Sequence, residues 1–80
     1  MNKISEFETF LNVSKTKFGI YLFDTKNKKN LYSKEITFEK TNFINYPYLN
    51  KFLNENIFRI EKLLGRFVEN IFIIIDHENI

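Results

Sequence analysis

The sequence predicts an α+β fold, a small antiparallel sheet packed by one long helix and completed by a buried strand. Three observations carry that expectation. Apolar and polar residues alternate with period two in the first half of the chain, apolar residues recur every three or four positions between Leu49 and Leu64, and "IFIII" at residues 71–75 does not alternate at all. The elements are expected at about 7–13 (first strand), 17–39 (hairpin), 48–64 (helix) and 70–76 (buried strand), all in one domain over residues 1–80.

In the first run, Phe7, Thr9, Leu11 and Val13 alternate with Glu8, Phe10 and Asn12. That suits a strand, although residues 3 to 10 also fit a short helix. Phe18, Ile20 and Leu22 define one side of the next strand, with Gly19, Tyr21 and Phe23 on the other. Aromatic and β-branched residues favour a pleated, half-buried surface. "DTKNKKN" from Asp24 to Asn30 holds turn-forming Asp and Asn and no apolar residue, so it reads as a hairpin tip before "LYSKEITFE" resumes the alternation.

Asn45, Tyr46 and Pro47 open the helix, because proline near the first helical position gives up an N–H that has no partner there anyway. Leu49, Phe52, Leu53, Ile57, Ile60 and Leu64 then draw one apolar stripe, Glu55 and Arg59 make an i,i+4 pair, and Gly65 ends the helix. Phe58 and Leu63 widen the apolar face, which calls for a second covering surface. An unalternating run such as Ile71 to Ile75 is the pattern of a strand buried on both faces beside a parallel neighbour. Nothing after it is long enough to cover its far side, so the pattern reads as the front part of a larger fold.

Composition narrows the function classes. Eighty residues bury only roughly 60 to 65% of the surface of the unfolded chain. With no cysteine, neither a disulfide nor a thiolate metal site adds stability, and a reducing, cytoplasmic setting is expected. Oligomerisation or a protein partner is the remaining route. Ten Phe and four Tyr argue for a core and against disorder. The net charge of +2 comes from interspersed signs, and Arg59 and Arg66 are the two arginines, so nucleic acid is not the expected partner. The longest apolar run, Ile71 to Ile75, falls far short of the roughly 20 residues of a membrane span.

Few residues point to chemistry. Asp76, His77 and Glu78 are neighbours on a strand end, where successive side chains diverge, and a lone histidine leaves no triad. Glu6 and Glu8 share a strand face without an apolar pocket and read as solvated. Neither a catalytic nor a metal site is expected. Two polar clusters remain: "SKTK" at residues 14–17, between the first two strands, and the tip lysines Lys26, Lys28 and Lys29. The tip lysines are an anion or nucleic-acid contact in one reading and a solvated turn that discourages edge pairing in the other.

The order strand, polar turn, strand, tip, strand, long helix, buried strand resembles the amino-terminal part of the actin-like ATPase superfamily, most closely the bacterial FtsA cell-division family. There the first two strands are joined by a phosphate-binding turn. In "LNVSKTKFGIYLFD", Asn12 stands where the acidic residue would be, Ser14 near the glycine and Lys17 near the basic residue, while Thr16 adds a hydroxyl. The resemblance spans roughly residues 9–80. It implies phosphate binding by Ser14, Thr16 and Lys17, with ATP and magnesium as ligands only if the turn still works. Loss of the acid and of the glycine implies a degenerate grip. The expected function is thus a non-catalytic scaffold or interaction domain. Two alternatives are a small Sm-like barrel that oligomerises through strand edges and binds RNA, and a homo-oligomer with no ligand.

Overall fold

Alternation becomes strands wherever it was seen. The structure is a computed structural model and describes residues 6–39 and 43–75. Its elements are β1 (Phe7–Val13), β2 (Lys17–Asp24), β3 (Lys29–Thr37), α1 (Tyr46–Leu64) and β4 (Ile71–Ile75). They form a four-stranded sheet in the order β3-β2-β1-β4, with the helix on one face. β1, β2 and β3 pair antiparallel, and β4 pairs parallel to β1. Residues 7–10 are therefore strand, the long-range pairing with β2 and β4 deciding against a short helix. Among the described residues the sheet is open rather than a barrel, since β3 and β4 each have a single strand neighbour there.

Register follows the period-two rule. Thr9, Leu11 and Val13 of β1 and Phe18, Ile20 and Leu22 of β2 point to the helix face and are buried, the last three completely. From α1, Phe52 and Ile60 reach the same core, with Leu49, Leu53, Ile57 and Leu64 around them. Phe18 is the hub of an aromatic cluster. Its ring meets Phe38 edge-on at 4.9 Å and lies 5.7 Å from Tyr48 and 5.8 Å from Phe52. Such edge and tilted pairings add to the gain from burial itself.

The helix starts two residues before the expected position. Asn45 is the N-cap, its Oδ1 accepting from the Tyr48 amide at 3.0 Å, and Pro47 occupies the first turn. Gly65 ends it in the left-handed region at φ 73°, its amide donating to the Glu61 carbonyl at 2.8 Å. At the hairpin tip Lys28 takes φ 57°, and a bulge beyond it leaves Leu31 unpaired, since Phe23 pairs with Asn30 and Leu22 with Tyr32.

The expectation of a buried final strand needs correction. β4 has its parallel neighbour, but it is the outermost strand, and Phe72, Ile73, Ile74 and Ile75 remain 50, 59, 54 and 47% exposed. The cause differs between the two faces: Phe72 and Ile74, in register with Phe10 and Asn12, lie on the open face, while Ile73 and Ile75, in register with Leu11 and Val13, face the helix side but are not reached by the helix. α1 lies chiefly over β2 and reaches β3 through Asn56 and Tyr32, so β4 is left beyond its cover. Phe58 and Leu63 are exposed as well.

Candidate functional site

The turn singled out by the sequence closes on itself. The Ser14 hydroxyl accepts from the Thr16 amide at 3.3 Å and the Lys17 amide at 3.0 Å, and the Ser14 amide donates to the Lys17 carbonyl at 3.0 Å. Thr16 Oγ1 lies 3.4 Å from the Ser14 hydroxyl, and the Thr16 carbonyl accepts from Phe38. Lys17 Nζ is 3.5 Å from Glu35 Oε2. Ser14, Thr16 and Lys17 are thus brought together, but the donors a phosphate would need are occupied by the turn or by a carboxylate. This donor set does not fit a nucleotide phosphate with magnesium.

Asn12 faces away from the helix, on the open side of the sheet. There Tyr21 donates a hydrogen bond to Glu35 across the β2–β3 pair. That bond, followed by the Lys17 ammonium, holds the Glu35 carboxyl below its usual range. The same bond raises the Tyr21 phenol above its ordinary value, against a smaller opposing pull from the Asn12 amide. Asn12 Oδ1 is buried without a partner among the described residues. The Tyr21 ring fills the space over Gly19, where a Cβ would stand 2.5 Å from Tyr21 Oη.

Lys26, Lys28 and Lys29 sit beyond the other end of β2, one eight-residue strand from the turn, roughly 25 Å at the rise of a strand. All three are exposed. The tip itself is organised by Asp24. Its Oδ1 accepts from the amides of Lys26 at 3.0 Å and Asn27 at 3.1 Å, and its Oδ2 accepts from Asn27 Nδ2 at 2.8 Å. The Asn27 side-chain bond, with these amides, holds the Asp24 carboxyl below the ordinary range. The two lysine-bearing regions do not converge on one site. Asp76, His77 and Glu78 lie outside the described residues. Among the described residues, no group of three potential metal ligands gathers, and no helix is long and apolar enough to cross a membrane.

Two other features stand out. The first is the β4 edge, an uncharged apolar strand with no strand neighbour on its outer side among the described residues. Phe72 stacks on Phe10 at 5.4 Å on the open face, and Arg66 lies 4.9 Å from the Phe7 ring centre at the other. The second is a cleft of about 360 Å³ between β3 and α1. Ile36, Tyr48 and Phe52 form its apolar end, Asn56 its floor, and Lys34, Lys51 and Arg59 its rim. Glu55 is the single acid lining it, and it makes no ion pair with Arg59 within 4.0 Å, so the expected helix pair is absent. Asn56 is a polar residue within the apolar stripe of α1, and the helical period alone does not mark it as functional. It is buried, its Oδ1 accepting from the Tyr32 hydroxyl and its Nδ2 donating to the Phe52 carbonyl at 2.7 Å. Comparison with protein-family models, curated proteins and solved structures gave no match.

Proposed function

We propose that this chain is a non-catalytic interaction module that assembles with a second copy of itself through β4. The observation behind the reading is that β4 is an edge strand with consecutive half-exposed apolar residues and no charge. Natural sheets guard such edges with lysine, proline, bulges or a covering element, and β4 has no lysine, proline or bulge of its own. β3, at the other edge, carries Lys29 and Lys34, which oppose pairing with a second copy of itself by like charge, and its bulge is confined to the end near the hairpin tip.

The sequence of β4 suits self-pairing. A two-fold axis through Ile73 sets Ile73 opposite Ile73, Phe72 opposite Ile74 and Ile71 opposite Ile75. Every cross-strand pair is then apolar, and no like charges meet. Covering half-exposed side chains of this size contributes on the order of 1 kcal/mol each, in addition to the hydrogen bonds of the new ladder. The element order supports the scaffold character implied by the resemblance to the first lobe of FtsA-like proteins, and the self-occupied turn supports a nucleotide grip that is degenerate. A cytoplasmic setting belongs to the same proposal, consistent with the absence of cysteine.

The test is sedimentation velocity over a concentration series of the full chain and of Ile73→Lys. The expected outcome is a reversible dimer for the parent chain and a folded monomer for the variant. A parent chain that stays monomeric at several hundred micromolar would refute the proposal.

A further inference from the structure

The cleft between β3 and α1 lies at the opposite edge of the sheet from β4 and is independent of assembly there. We infer that it takes an acidic, extended peptide segment, which adds as a strand to the open side of β3 and directs alternate side chains into the cleft. Three observations carry this. First, β3 is the outermost strand on its side among the described residues, so its outward N–H and C=O groups can form a ladder with an added strand. Second, the helix-facing residues of β3, Lys34 and Ile36, line the cleft together with α1, so a strand added beside β3 points every second side chain into that space. Third, Lys34, Lys51 and Arg59 surround the cleft against the single acid Glu55, and none of the three cations has an ion-pair partner among the described residues.

The chemistry fixes the pattern of the segment. Ile36, Tyr48 and Phe52 at one end of the cleft receive an apolar side chain, and the cationic rim receives carboxylates at alternate positions, spaced about 6.5–7 Å along a strand. Three cations around a half-open cleft that holds a single acid favour an anionic partner over a neutral one. They also select against a second copy at this edge, because β3 would bring its own Lys34 to the contact.

The experiment titrates the ¹⁵N-labelled full chain with a synthetic peptide of alternating Glu and Val/Phe residues, with the same peptide carrying Gln for Glu, with a version holding a central proline, and with sodium acetate and phosphate alone. The expected result is saturable shifts at the amides of 33–37 and 51–59 with the Glu peptide. Affinity should drop about tenfold or more with the Gln peptide, with the proline version, and in the Lys51→Glu chain. Arg59→Gln, milder and also on the exposed side of α1, gives a second variant should Lys51→Glu lose its native spectrum. Any of three results overturns the inference. They are equal binding of the Gln and Glu peptides, shifts confined to β4, and cleft shifts reproduced by acetate or phosphate with no response in β3. Absence of binding at millimolar peptide does so as well.

Discussion

At the scale of single residues, polar side chains fix the ends of elements more than they serve chemistry. Asn45 caps α1, and Asn45→Ala is expected to lower stability by about 1 kcal/mol, read by urea denaturation, because the Tyr48 amide loses its acceptor. Gly65→Ala is expected to cost about 1 kcal/mol or slightly more, because its left-handed φ of 73° suits glycine and not alanine. Asp24 and Glu35 make stability depend on pH. Both carboxyls titrate lower in the folded chain than in the unfolded one, so their contribution is fully present above the unfolded values near 4 and is lost as pH falls through the folded ones. Tyr21 acts at the other extreme. Its raised value gives a contribution present below about pH 10 and lost as pH rises through the folded value. Denaturation curves from pH 2 to 6 should show the acid-side loss, and Asp24→Asn should flatten it. Gly19→Ala should displace the Tyr21 ring, return the Glu35 carboxyl towards its ordinary range and change stability little, since alanine also removes the entropic cost of glycine in a strand.

At the scale of elements, sequence patterns and tertiary placement divide the explanation. Phe18, Ile20 and Leu22 could be assigned to one face because alternation depends only on the local geometry of a strand, and all three lie in the core. The end of α1 at Gly65 was legible, and its start to within two residues, for the same reason, since capping is local chemistry. The place of β4 at the edge of the sheet was not legible. "IFIII" looks the same whether a strand is central or awaits a partner, and only the strand order, with β4 outermost, and the position of α1 over β2 and β3 decide between them. The cleft was hidden likewise. Lys34 lies far in sequence from Lys51 and Arg59, and Asn56 interrupts the stripe that the period of the helix revealed. The turn was located correctly, but the pattern of polar residues could not show that the Ser14 hydroxyl turns inward onto the Thr16 and Lys17 amides. Ile60→Ala removes a fully buried anchor of α1, and a loss of about 2–5 kcal/mol is expected, enough to unfold much of so small a domain.

At the scale of the whole molecule, one helix covers one part of one face of an open sheet, and β4 carries four consecutive exposed apolar side chains, Phe72 to Ile75. Assembly links that surface to stability. If a second copy binds the folded chain alone, the thermal midpoint must rise with protein concentration. The most direct measurement exploits the lack of native cysteine. In a two-fold antiparallel pair centred on residue 73, the two Cα atoms at that position are about 4.5–5.5 Å apart, within disulfide range, whereas those at residue 74 are offset along the strand by about two residues and lie beyond it. Ile73→Cys and Ile74→Cys are therefore oxidised mildly in parallel and the covalent dimer is quantified. The account predicts rapid dimer formation for Ile73→Cys and little for Ile74→Cys. Equal cross-linking at both positions, or none at residue 73 in a folded sample, would contradict it.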